Sequence, residues 1–205
     1  MTVNRGIKAI AMGLAMTALV SLCGFCGECD GIRERVLRLH VLANSDTEAD
    51  QALKLRVRDA VIERAAGLFD GIADAAAAKA VTRQRLDELE QTAEQVVAGA
   101  GYDYPVAVEL TRAYFPTRRY DAGTLPAGDY DAIRVIIGKG EGHNWWCVAF
   151  PPLCVASASG ETATLDDVLT PAQRDIVEQP GSYEARLKIV EWARQIERAL
   201  RDWWD

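Results

Sequence analysis

The stretch that decides the fold covers residues 137–155 and reads IGKGEGHNWWCVAFPPLCV. Its three glycines, at positions 138, 140 and 142, predict a tight turn, because glycine adopts positive φ without a steric penalty. The aromatic and β-branched run that follows, residues 145–150, is typical of a strand. Two prolines then end that strand, since proline donates no hydrogen bond to a neighbouring strand. A strand that begins after a tight turn and ends at a forced bend is therefore expected here.

Two cysteines, Cys147 and Cys154, flank the proline bend. The bend could bring their Cα atoms within the distance that a disulfide requires. A disulfide is expected only in an oxidising compartment. A loop this short would stabilise the fold by about 2 kcal/mol, and it would fix the shape of the bend.

The N-terminus bears on the compartment. Arg5 and Lys8 are followed by residues 9–27, which contain no charged side chain. A basic start before an apolar run is typical of an export segment. The run is long for a cleaved signal, is just long enough to span a bilayer, and lacks a small-residue cleavage site. The domain is therefore expected outside the cytoplasm, with residues 1–29 as either an export signal or a membrane anchor.

The charge balance excludes nucleic-acid binding, and the cysteine spacing argues against a metal site. The chain has 23 basic and 30 acidic residues and a net charge of −7, whereas nucleic-acid binding needs basic patches. Cys23, Cys26 and Cys29 lie three residues apart, but no histidine and no fourth ligand is near them. No nucleic acid, metal or cofactor is therefore expected.

The first half of the chain predicts one strand and two helices. Alternating apolar residues over 32–43 indicate a half-buried strand. Ser45 and Glu48 form the pattern of a capping box at the start of a helix that continues to about residue 66. A second helix is expected over residues 72–98.

The second half predicts three strands, over residues 104–115, 130–137 and 145–150, joined by short turns. An antiparallel meander with the two helices on one face follows, which is an α+β fold in the order strand-helix-helix-strand-strand-strand. The α+β domain covers residues 30–156, and a polar linker and C-terminal helix cover residues 157–205. This amphipathic last helix is expected to pack back on the domain; an interfacial or partner-binding helix is the alternative.

Two residue pairs suggest catalysis, and neither is convincing. Ser45 with His40 could act as nucleophile and base, but Ser45 already has a role as a helix cap. Cys147 with His143 could do the same, but a disulfide would remove that thiol. No catalytic residue is therefore expected, and a cell-envelope hydrolase that uses one of these pairs is the alternative.

Exposed aromatic residues suggest a binding surface instead. Trp145 and Trp146 are adjacent in a predicted strand, so their side chains point to opposite faces of the sheet. One of them can lie in the core, and the other is either covered by a loop or helix or exposed, where it could anchor a protein interface. Arg118 and Tyr120, in the preceding loop, are residues of the same anchoring type.

Several motifs resemble those of the stage II sporulation protein R family. They are RLHVLANSD at 38–46, DQALKLRVRD at 50–59, FPTR at 115–118, LPAGDY at 125–130, and NWWC followed by PPLC at 144–154. Together they cover about residues 32–156 in order, and this combination is highly specific.

The resemblance implies a function that composition cannot give. Family members are made in the forespore and exported into the space between the forespore and mother-cell membranes. There they activate a membrane-embedded aspartic protease of the mother cell, which removes the pro-sequence of sigma-E. The resemblance brings no catalytic residues. The expected contact residues are His40, Asn44, Asp46, Arg118, Tyr120, Asn144, Trp145 and Trp146.

Overall fold

The structure, a computed structural model, describes residues 2–153 and 163–204. The helices are α1 (Thr2–Glu34), α2 (Glu48–Leu68), α3 (Ala75–Gln84), α4 (Leu86–Gly99), α5 (Leu165–Val168), α6 (Pro171–Glu178) and α7 (Pro180–Trp204). The strands are β1 (Leu37–Leu42), β2 (Val106–Phe115), β3 (Arg118–Tyr120), β4 (Gly123–Leu125), β5 (Gly128–Ile137) and β6 (Asn144–Phe150).

The main sheet confirms the α+β class but not the predicted meander. Its strand order is β2-β5-β1-β6. β2 and β5 are antiparallel, β1 is parallel to β5, and β6 is antiparallel to β1. The turn after β5 therefore carries the chain across β1 and not into a hairpin. β3 and β4 form a separate small hairpin.

β1 lies between β5 and β6, and it is buried along its whole length. Its alternation of apolar and polar residues had predicted a half-buried strand, which is wrong, since Arg38 and His40 are also buried. Strands with a parallel neighbour are usually covered on both faces. The predicted strand also began too early, because residues 32–34 belong to α1.

Three helices, not two, cover one face of the sheet. The predicted second helix is divided into α3 and α4 at Arg85, and Asp74 caps α3 by accepting a hydrogen bond from the Ala77 amide at 2.8 Å. The predicted Ser45–Glu48 capping box is wrong. Thr47 is the N-cap of α2, while the Ser45 hydroxyl donates to the Asp50 carboxylate.

The predicted glycine turn before β6 is confirmed. Gly138 and Gly140 have φ values of 60° and 65°, a region that disfavours other residues. The Gly142 amide donates to the Ala43 carbonyl at 2.9 Å, and a Cβ at Gly142 would lie 2.2 Å from the Ser45 carbonyl oxygen. The turn therefore packs directly against the segment that joins β1 to α2. β6 ends before the two prolines, as expected.

The end of α1 is part of the core. Phe25, Cys29 and Ile32 are buried, and the buried Arg33 side chain donates to the Ala127 carbonyl at 2.7 Å. Residues Gly6–Glu34 form a helix long and apolar enough to cross a membrane, which a signal sequence would also be. The helix thus runs without a break past position 29, where the export segment was expected to end.

The described C-terminal part contains two short helices, α5 and α6, before the last helix, where a polar linker was expected. In α7, Leu187 and Val190 are buried against the domain, whereas Ile196 and Leu200 are exposed. The apolar packing of this last helix on the domain therefore lies in its first half, whereas in its second half Arg198 covers the Tyr114 ring at 4.4 Å and Arg201 lies 3.9 Å from Asp129. The three-part division at residues 29 and 156 stays a prediction.

We expect the folded domain to depend on the end of α1. A chain that begins at Gly24 retains Phe25 and Cys29, whereas a matched chain that begins at Asp30 loses two buried side chains. Loss of a buried phenylalanine side chain costs roughly 3–5 kcal/mol. Urea unfolding followed by circular dichroism should give a clearly lower midpoint for the shorter chain. Equal midpoints would show that these residues add nothing to the core.

Candidate partner-binding site

The candidate site is built around the guanidinium of Arg38, which is completely buried in β1. Its Nε donates to the Cys147 carbonyl at 2.9 Å, and its Nη2 donates to the Tyr120 hydroxyl. The guanidinium carbon lies 4.2 Å from the ring centre of Phe115 and 4.8 Å from that of Tyr130. A desolvated cation–π contact of this kind contributes about 2 kcal/mol.

No carboxylate pairs with this charge within residues 2–153 and 163–204, and Nη1 has no hydrogen-bond partner there. Burial lowers the pKa of Arg38, and the nearby hydroxyls of Tyr120 and Tyr130 oppose that effect. An uncompensated buried charge is costly. The aromatic rings and the Cys147 carbonyl dipole therefore stabilise the buried charge, as a carboxylate usually would.

His40, two residues further along β1, continues the cluster. Its ring stacks on Trp146 with centroids 3.9 Å apart and meets the edge of Phe115 at 6.1 Å. Neither ring nitrogen meets hydrogen-bond geometry with a group in the described part of the chain, although the Asn144 side chain is close enough to oppose the effect of burial on the pKa of His40. Burial lowers the pKa of His40 to about 4, so the ring is neutral at pH 7. We call Arg38, His40, Phe115, Tyr120, Tyr130 and Trp146 the aromatic cluster.

The two tryptophans lie on opposite faces, as strand geometry predicts. Trp146 belongs to the aromatic cluster, and it is partly exposed. Trp145 lies on the helix side, where the Arg58 guanidinium of α2 covers it at 4.3 Å. Trp146 is thus the one of the two that shares a face with His40 and Asn144, because positions 144 and 146 pair with Leu42 and His40 of β1.

Asn44 and Asp46 lie elsewhere, at the end of β1, where they fasten the glycine turn to the start of α2. Asp46 accepts hydrogen bonds from the backbone and the ring of His143, which lower the pKa of its carboxyl group. The side-chain oxygen of Asn44 accepts a hydrogen bond from the backbone amide of Lys139 at 3.1 Å, and its side-chain nitrogen donates to the Asp50 carboxylate at 2.9 Å. Their role in the structure is therefore to hold this turn.

The eight expected contact residues thus fall into three groups. His40, Tyr120 and Trp146 are in the aromatic cluster, with Arg118 exposed beside it on β3 and Asn144 exposed on the same sheet face. Asn44 and Asp46 hold the turn, and Trp145 is on the other face. Sequence reasoning missed three members of the cluster, Arg38, Phe115 and Tyr130. The signal for Arg38 was present, since it alternates with Leu37 and Leu39 beside His40, but such alternation usually indicates a solvent face.

Neither proposed catalytic pair forms a hydrogen bond. The Ser45 hydroxyl donates to Asp50 and not to His40, whose ring lies in the aromatic stack. The His143 side chain is 80% exposed and its Nδ1 contacts Asp46, whereas Cys147 is completely buried. Cys154, the expected disulfide partner of Cys147, lies outside the described residues, so that pairing stays a prediction.

We expect His40 to make the stability of the fold depend on pH. Its pKa is about 4 in the folded chain and about 6.5 in an unfolded chain. Between these values the unfolded chain binds more protons, so stability is complete above pH 6.5 and is lost as pH falls towards 4. Urea unfolding of the full chain in detergent micelles at pH 7.5 and 4.5 should show this loss.

The matched control is His40→Phe, which keeps a ring against Trp146 and cannot titrate. Between the two pH values the wild-type chain should lose about 2 kcal/mol more unfolding free energy than this variant. Comparing the two proteins removes the contribution of the carboxylates to the pH dependence, because these groups titrate in both proteins. Identical pH profiles would mean that the buried ring is not held neutral.

Comparison with known proteins identifies the family. The family model for stage II sporulation protein R matches residues 33–160. Stage II sporulation protein R of Bacillus subtilis (strain 168) is 33% identical over 181 residues, which cover 78% of this chain and 81% of that protein. No solved structure matches. The matched region contains the whole aromatic cluster and the turn that follows β5, and the chain belongs to the stage II sporulation protein R family.

Proposed function

We propose that this protein is an exported, non-enzymatic signal of endospore formation. It acts in the space between the forespore and mother-cell membranes and binds the extracytoplasmic part of a membrane-embedded aspartic protease. Binding triggers the protease to remove the pro-sequence of sigma-E. Membership of the family supports the role in sporulation, and the apolar helix α1 supports export or anchoring.

The observation that carries the binding role is the aromatic cluster with its unsatisfied donors. Arg38 and His40 are buried polar groups that lack a full set of partners among the described residues, and such groups reduce stability. The open part of this sheet face continues from Trp146 to the exposed Asn144, and the exposed Arg118 lies beside the cluster. Partly exposed tryptophan and arginine are the residues on which protein interfaces most often depend.

Charge indicates the chemistry of the partner. Arg118 stands close enough to Arg38 to lower its pKa further, so two positive groups face this region. The one ion pair on the open part of this face that the described residues show is Arg134 with Glu109, at 3.2 Å. A partner segment with acidic side chains or free carbonyl oxygens fits this surface best.

The test reverses the charge of Arg118 in a sporulating host. Arg118→Glu removes an exposed cation without changing a core contact, so the protein should accumulate normally while sigma-E processing falls at least tenfold. The matched control is Arg83→Glu, an exposed position on α3 in the helix layer. Processing at the wild-type level in Arg118→Glu, with normal protein abundance, would exclude this surface.

We also propose that Cys147 and Cys154 form a disulfide. The other three of the five cysteines, Cys23, Cys26 and Cys29, are free thiols, which supports a pairing of the remaining two. Thiol titration of the exported, denatured full chain should find three reactive thiols, and five after reduction. Five thiols before reduction would contradict the disulfide and would reopen the cysteine-hydrolase alternative.

A further inference from the structure

Helix α7 has a second apolar face that nothing in the described part of the chain covers. Leu187 and Val190 pack into the domain, but five other large apolar residues are 43–76% exposed. They recur at intervals of three or four residues and so form one stripe along the helix. We call this the outer stripe: Ile189, Trp192, Ile196, Leu200 and Trp203.

The outer stripe is large enough for a specific interface. It extends over about 21 Å, at about 1.5 Å per helical residue. Each exposed tryptophan can bury roughly 150–250 Å², and Trp204 is exposed beside the end of the stripe. The total approaches the roughly 800 Å² that each partner contributes to a standard interface.

Contacts with α1 fix the direction in which the stripe runs. Tyr183 stacks on Phe25 with centroids 5.6 Å apart, and further along both helices Arg194 bonds to Asp30 at 2.8 Å. The two helices therefore run in the same direction. Trp203 lies about 30 Å along α7 from Tyr183. When α1 crosses a bilayer, the stripe rises away from the bilayer surface, so lipid cannot cover its far end.

We infer that the outer stripe binds the same stripe of a second copy of this chain. Two copies anchored by α1 in one membrane hold their α7 helices parallel and at the same height, because the same contacts tie α7 to α1 in each copy. Each stripe residue then faces its own counterpart. Ile189 and Ile196 are seven residues apart, which is the heptad spacing at which apolar residues of two parallel helices meet. This inference goes beyond the proposed function: it rests on anchoring by α1 and not on the protease partner.

Cysteine cross-linking tests the pairing in the full chain. Ile189→Cys and Ile196→Cys are introduced separately into a chain with Cys23→Ala and Cys26→Ala, which removes the exposed thiol and the half-buried thiol of α1. The protein is reconstituted in phosphatidylcholine–phosphatidylglycerol vesicles and oxidised. Both variants should form homodimers at least fivefold more efficiently than the control, Arg198→Cys, which lies on the opposite side of α7.

Three results would overturn the inference. Monomers in both variants would show that the stripe does not bind itself. Dimers with Ile196→Cys but not with Ile189→Cys would indicate antiparallel helices, which meet only at the centre. Monomers in which vesicles protect the thiol at position 196 from a water-soluble maleimide would show that lipid covers the stripe.

Discussion

The sheet is organised around a positive charge that pairs with no carboxylate among the residues that the structure describes. Arg38 lies in the middle of the central strand, and its guanidinium is held by the rings of Phe115 and Tyr130, by the Tyr120 hydroxyl and by one carbonyl of β6. Each of these groups comes from a different strand: β2, β5, β3 and β6. The charge can be buried only when all four strands are in place, because rings and dipoles at several positions must together replace its hydration. Its burial therefore couples the small hairpin to the main sheet.

That constraint explains where the sequence was informative and where it was not. The glycine turn, the proline end of β6 and the strands β2 and β5 follow from local chemistry, so they could be predicted. The position of β1 between β5 and β6 could not, because a residue pattern gives the faces of a strand but not its neighbours. Arg38 and His40 were expected on a solvent face, since burying them requires aromatic partners from distant parts of the chain. For the same reason the site was only partly predicted: His40, Tyr120 and Trp146 were expected as contact residues, whereas Arg38, Phe115 and Tyr130 were missed.

The end of α1 links this cluster to the apolar N-terminal helix. Arg33 donates to the Ala127 carbonyl, and Ala127 lies just before β5, which carries Tyr130 of the cluster. No flexible linker separates the apolar helix from the domain, because α1 is continuous up to Glu34. An anchored copy would therefore hold its aromatic cluster at a fixed distance and orientation from the bilayer. Such pre-organisation reduces the entropy cost of binding a partner that is also held in a membrane.

The aromatic cluster and the outer stripe of α7 fit different kinds of partner. The aromatic cluster contains buried donors and lies beside the exposed Arg118, a chemistry that fits a polar or acidic partner. The outer stripe of α7 is apolar along its length and fits another apolar helix. The two surfaces meet through α1, which contacts both β5 and α7. Pairing of two copies through α7 would place two aromatic clusters at equal height above one membrane. On the proposed function, a partner with two matching sites would be bound by both copies at once, and the second contact would form at a high effective concentration.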